Sequence, residues 1–272
     1  VPPDAFRVLV TGFGPFLQYA ENPSWLAVKP LHNRVMHTDI QPEPVPLSHS
    51  SNTKSSSSSS PSIGAGSGVT PPGPRPIHIT TLEIPVVYES VLAVVPGLHH
   101  RPPSFPADAL PDTVSPETNF DFIFHVGVAG RGPLRMERQG HKLGYHMKDA
   151  TGKLAPVVRT GGDTITRPTR GFGAGYENFP EEIPTDIDVT RLVQDLKRSG
   201  VEQIYTSMDA GHYLCDFIYY CSLAEVKRSS KPYEKRRSTQ VLFLHCPPVG
   251  QPLGTEEVTD AIQRIVVWVC SE

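Results

Sequence analysis

Short apolar runs alternate with amphipathic stretches along most of this chain, and the alternation predicts strands and helices in turn. Residues 6–11 (FRVLVT) are apolar and β-branched and run into Gly12-Phe13-Gly14-Pro15-Phe16, the pattern of a buried strand feeding a tight loop. Asn22-Pro23-Ser24 then opens a short helix over about 24–31, with Ser24 as its expected N-cap. Further strands are expected over 77–87, 120–128, 201–207 and 239–247, and further helices over 88–95, 186–200, 211–227 and 255–269. Residues 134–147 alternate in character and predict an antiparallel extension. In 186–200, Ile187, Leu192, Val193 and Leu196 share one face, and Gly200 stands where a C-terminal cap belongs. Strands alternating with helices argue for one α/β domain over 1–272, with a twisted, mostly parallel central sheet and helices on both faces.

Three stretches interrupt that pattern. Residues 41–76 are Ser, Pro and Gly with almost no apolar content, including the run Ser55–Ser60. Such a segment buries too little to offset its ordering entropy, and it is expected to be a disordered insert. Residues 96–118 form a second, Pro-rich insert, and 161–184 a Gly/Pro-rich loop whose charged and aromatic residues suit it to cover a site. These segments account for the modest hydrophobic content of 38%. The net charge of -3, with both signs mixed, offers no basic face for nucleic acid or a membrane surface. No stretch approaches the ~20 apolar residues of a membrane span. The opening VPPDAFRVLV lacks the pattern of a signal peptide, and also lacks an initiator Met, so the start is expected to be processed or missing. Cys215, Cys221, Cys246 and Cys270 form no CxxC pair, and a chain of 272 residues needs no disulfide staples. The expected setting is reducing and cytoplasmic.

Reactive side chains cluster at the ends of predicted strands, where open α/β sheets bind ligands. Cys215 follows the strand and turn of Ser207–Gly211 and falls in the first turn of a helix, where unpaired N–H groups and the helix dipole favour a thiolate. A buried cysteine packing as a small hydrophobe is the alternative. His245 closes the apolar run 242–244 just before Pro247-Pro248; there an imidazole can serve as general base and then acid, or simply be a satisfied structural histidine. Glu137, between Arg135 and Arg138, can orient such a histidine or sit in a surface ion pair. Residues 127–132 (GVAGRG) and 171–175 (GFGAG) lack phosphate-loop spacing. His141 and His146 match no zinc pattern, and Cys215 and Cys221 point to different helix faces, so no metal is expected.

Four segments resemble the type I pyroglutamyl peptidases: VLVTGFGPF with ENPS (8–16 and 21–24), HVGVAG through LRMERQGHKLGY (125–145), SMDAGHYLCDFIYYCSL (207–223) and FLHCPPVGQP (243–252). They stand in the family's order, span nearly the whole chain outside the inserts, and are most like the animal enzymes. The resemblance implies a phosphorylase/hydrolase-like α/β fold and a cysteine omega-peptidase that removes N-terminal pyroglutamate from peptides without a cofactor. It implies a triad of Glu137, Cys215 and His245. Phe13 and Phe16 would embrace the flat pyroglutamyl ring, and Asn22 would hold their loop in shape. Bacterial members carry Gln at the position of Val128, so backbone groups of that loop must contact the lactam here; animal-type members share the apolar residue. Two other readings stay open: a different cysteine amidohydrolase of glutaminase type, and a non-catalytic binder of blocked N-termini.

Overall fold

The computed structural model describes residues 1–39, 73–105, 119–159, 167–229 and 238–272. Strand β1 (Phe6–Phe13) leads into helix α1 (Pro23–Val28), a short 3-10 turn and strand β2 (Val35–His37). Strand β3 (Pro76–Ile84), helix α2 (Tyr88–Leu98) and strand β4 (Phe122–Val128) follow. Next come the short strands β5 (Leu134–Glu137), β6 (Gln139–His141), β7 (Val157–Arg159), β8 (Thr169–Arg170) and β9 (Glu182–Pro184). Helix α3 (Val189–Arg198), β10 (Ile204–Ser207), α4 (Leu214–Ser229), β11 (Gln240–Cys246) and α5 (Thr255–Ser271) complete the chain.

Seven strands form the central sheet in the order β10-β5-β11-β4-β1-β3-β2. The four apolar runs β3, β1, β4 and β11 lie parallel to one another, as continuous burial on both faces requires. The edge strand β2 is antiparallel to β3, and β5 is antiparallel to β11 while parallel to β10. Alternate residues split the core into two layers. Val8, Val10, Phe122, Phe124 and Leu244 pack with α1, α3 and α5, whereas Leu9, Phe13, Ile123 and Phe243 pack with α2 and α4. The expected α/β class, with helices on both faces, is the one observed.

Several local expectations are corrected. Asn22, not Ser24, caps α1: its Oδ1 accepts the Ser24 N–H at 3.1 Å, while Pro23 fills the first helical turn. Ser24 Oγ instead accepts the Phe13 N–H at 3.0 Å, tying the helix to the end of β1. Residues 134–147 do not make one antiparallel extension: β5 stays in the main sheet, and β6 pairs with β9 in a separate ribbon. The second Pro-rich stretch begins inside a helix, because α2 continues through Pro96 to Leu98. In the Gly/Pro-rich stretch, β8 and β9 hold two segments in ribbons with β7 and β6. The bulk of the Ser-rich insert, residues 106–118 of the second insert and residues 160–166 lie outside the described residues. Gly200, just beyond α3, has φ +101°, a backbone conformation that only glycine adopts freely.

Candidate active site

The C-terminal ends of β1, β4 and β11 converge on the first turn of α4. Cys215 is the second residue of that helix and is half-buried. The loop before it turns sharply, with Asp209 Oδ1 accepting the Gly211 N–H at 2.8 Å. The first bond into the helix runs from the Phe217 N–H to the Tyr213 carbonyl at 2.9 Å. The N–H groups of Leu214, Cys215 and Asp216 therefore precede the ladder and face outward from the helix start.

Beneath the thiol lies Gly127 on β4, directly across from His245 on β11. A Cβ at Gly127 would come within 2.7 Å of Cys215 Sγ and 2.8 Å of Phe243 Cζ. Only a residue without a side chain leaves room for the sulfur there. His245 Nδ1 donates to Glu137 Oε1 at 2.7 Å, and both residues are buried. The reversed direction of β5 sets Glu137 opposite Phe243, one step deeper in the sheet than His245. Tyr219 on α4 donates to the Glu137 carbonyl at 3.0 Å and locks β5 against the helix that carries Cys215. Glu137 Oε2 has no hydrogen-bond partner among the described residues. The three triad positions implied by the sequence thus come together on three different elements.

Burial pushes the Cys215 thiol well above its ordinary range; the charges of Cys246, Glu137 and Asp216 add to the rise and that of Arg135 opposes it. That direction works against the thiolate that the helix N-terminus favours. A helix dipole supplies about 0.3–1 kcal/mol, less than desolvation of a thiolate costs in such a pocket.

Two clefts meet at Cys215. One, of about 700 Å³, is lined by Phe13, Phe16, Asn22, Val128, Tyr213 and Leu214 among others. Phe16 lies 5.5 Å from the Tyr213 ring, so two aromatic faces line the same slot. Asn22 Nδ2 donates to the Gly14 carbonyl at 3.1 Å and pins the loop between Phe13 and Phe16. The second cleft, of about 560 Å³, shares Val128, Tyr213 and Cys215 with the first and adds His245 and Arg135. All four expected pocket residues thus border the first cleft. Tyr213 and Leu214 were missed, although their place just before Cys215 on a helix start was a usable signal.

One further cluster supports the helix that carries Cys215. Asp216 is buried beside Cys215; its Oδ1 accepts the His141 backbone N–H at 3.1 Å and its Oδ2 the Tyr145 hydroxyl at 3.0 Å. His141 Nδ1 lies 3.2 Å from Asp216 Oδ2 and His212 Nδ1 3.6 Å from it. These three side chains form the one group of donors close enough for a metal among the described residues. The carboxylate is already engaged from β6 and by Tyr145, and its bond to His141 raises the histidine's pKa above the usual range. The cluster anchors the start of α4.

The chain is 28% identical over 261 residues to pyroglutamyl-peptidase 1 of Rattus norvegicus, covering 95% of this chain and 87% of that protein. The Homo sapiens pyroglutamyl-peptidase 1 is 27% identical with the same coverage. The chain is similar to the type I pyroglutamyl peptidases. Its fold matches the crystal structure of pyrrolidone carboxyl peptidase from Fervidobacterium islandicum, with TM-score 0.61, 20% identity, and coverage of 97% of this chain and 98% of the other. Pyroglutamyl peptidase I from Bacillus amyloliquefaciens gives TM-score 0.60 and 21% identity, covering 97% and 94%. No protein-family model matches the chain.

Proposed function

We propose that the protein is a cysteine omega-peptidase that hydrolyses the bond after an N-terminal L-pyroglutamyl residue. The observation that carries this reading is the meeting of Cys215 with the aromatic slot on one side and the Glu137–His245 pair on the other. The lactam offers two flat faces for Phe13 and Phe16 and an edge of hydrogen-bonding groups for the 128–131 backbone. Val128 contributes shape only, since its side chain carries no polar atom.

His245, oriented by Glu137, takes the thiol proton at Nε2 as Sγ attacks the pyroglutamyl carbonyl carbon. A base beside the thiol at the moment of attack is called for because burial raises the thiol's pKa. Negative charge develops on the carbonyl oxygen, where N–H groups at the start of α4 stabilise it, at about 3 kcal/mol for a well-placed donor. As the C–N bond breaks, His245 returns the proton to the departing amine, leaving the acyl group on Sγ. Water, deprotonated by His245, then releases pyroglutamate and restores the thiol. Thiol, imidazole and carboxylate complete the cycle without a metal or organic cofactor. A charged N-terminal ammonium gains less than the neutral lactam from the apolar faces of Phe13 and Phe16, so blocked peptides are favoured.

Free cysteines at all four positions fit a reducing, cytoplasmic location, and among the described residues no helix is long and apolar enough to cross a membrane. Pyroglutamylated peptides are the proposed partners. The test is hydrolysis of a pyroglutamyl arylamide under reducing conditions, beside the glutaminyl analogue. Wild type is expected to cleave the first and spare the second, and Cys215→Ala to lose at least about 10³-fold in kcat. Equal rates for wild type and Cys215→Ala would sink the mechanism.

A further inference from the structure

If the aromatic slot takes the pyroglutamyl group, the rest of the peptide must leave by another path, and the chemistry says which. His245 hands its proton to the departing amine, so the amine and the chain behind it lie on the His245 side of Cys215. His245 borders the second cleft and not the first. The second cleft therefore holds the residues that follow pyroglutamate.

Its charged lining is uneven. Arg135, His146 and His212 face it together with a single acidic side chain among the described residues, Asp209. Asp209 is turned back into its own loop, where its Oδ1 accepts the Gly211 N–H at 2.8 Å. His212 leans the other way, with Nδ1 3.6 Å from the buried Asp216. Arg135 stands directly opposite His245 in the β5–β11 pairing and is exposed. It makes no salt bridge among the described residues. Its neighbour two positions on, Glu137, is committed to His245. A guanidinium that is always charged, presents a planar fork of donors and has no carboxylate of its own is built to receive one.

We propose that Arg135 selects peptides with a carboxylate on the residue following pyroglutamate, either an acidic side chain or, in a dipeptide, the free C-terminus. The proposal rests on the pyroglutamyl-peptidase reading and names the half of the substrate which that reading leaves open.

The experiment measures kcat/KM for pyroglutamyl-Glu-Ala-amide, its Gln and Lys counterparts, and pyroglutamyl-Ala as free acid and as amide. The Glu/Gln and acid/amide ratios are each expected to be about fivefold in wild type, the upper range for a partly exposed ion pair, and to shrink in high salt. In Arg135→Gln both ratios are expected to fall to about one, and in Arg135→Lys to be retained in part. The two pairs separate the sources of the carboxylate: a Glu/Gln effect alone assigns the side chain, an acid/amide effect alone the C-terminus. Ratios of one in wild type, or ratios that survive in Arg135→Gln, overturn the proposal while the peptidase reading stands. Failure of wild type to cleave any of the five peptides, or the pyroglutamyl arylamide, overturns the peptidase reading itself. Ratios are read rather than rates because the Arg135 charge also acts on Cys215.

Discussion

A single hydrogen atom at the α-carbon of residue 127 decides whether the thiol can sit where it does. Alanine there would bring its methyl to 2.7 Å from Sγ, and the Phe243 ring at 2.8 Å blocks retreat on the other side. Cys215→Ala removes the thiol, whereas Gly127→Ala keeps it and moves it. A displacement approaching 1 Å costs about 10²-fold in rate even when every group is present. Gly127→Ala is therefore expected to lose about 10²-fold in kcat/KM on a pyroglutamyl arylamide, with a stability cost of about 1–3 kcal/mol from overpacking. Wild-type activity in that variant would show that the sulfur has slack. The GVAGRG stretch was set aside in the sequence for its poor fit to a phosphate loop. What its first glycine does is visible only once β4 lies across from the start of α4, 88 residues later in the chain as Gly127 and Cys215 are numbered.

Elements differed in how far they could be read. The runs that became β1, β4 and β11 were legible because burial on both faces leaves an unbroken apolar signature. Helix α3 was legible from its one apolar face and its glycine stop. Strands of two or three residues such as β2, β6, β7, β8 and β9 were not, since so few positions carry no period and their pairing is set by partners far along the chain. The triad residues were plausible singly from local chemistry, and only the family resemblance joined them. The Asp216 anchor escaped notice for the same reason: its partner His141 lies 75 positions away on a three-residue strand. Asp216→Ala is expected to leave the His141 N–H without its acceptor and the Tyr145 hydroxyl with only the His141 carbonyl. Urea unfolding should then show a loss of about 2–4 kcal/mol, accompanied by reduced turnover as α4 frays at the nucleophile's end. Unchanged stability would argue that the cluster is dispensable.

Over the whole molecule, two histidines buried in the α2/α4 layer set the response to acid. His99 Nε2 bonds to Ser222 Oγ at 2.7 Å, and His125 Nδ1 to Thr11 Oγ1 at 2.8 Å. Burial lowers the pKa of each to about 3 from the ordinary 6.5, with each further opposed by a neighbouring histidine. Both are neutral when folded and take up a proton when unfolded below pH 6.5. Their contribution is therefore complete above pH 6.5 and declines as pH falls from there toward 3. At pH 5 the loss is on the order of 2 kcal/mol per histidine. His141, whose pKa is raised, acts with the opposite sign in a window above 6.5: its contribution is present at lower pH and lost as pH rises through the folded value. Chemical denaturation at pH 7.5 and pH 5.0 is expected to show a marked drop, smaller in His99→Gln; equal midpoints at the two pH values would contradict this account.

The sheet also has a quiet end. The described residues break off after Asp39 and resume at Gly73, beside the point where the Thr38 N–H meets the Arg75 carbonyl at 2.9 Å. They break off again after Phe105 and resume at Asn119, just ahead of β4. Both junctions lie where the parallel strands begin, roughly 25 Å from the thiol along strands of this length. One pole of the protein thus carries both junctions, while the other has no room for a methyl group at Gly127. Descendants of this fold are free to lengthen, shed or exchange sequence at the first pole, and a fused tag or sensor can be carried there without reaching the chemistry at the second.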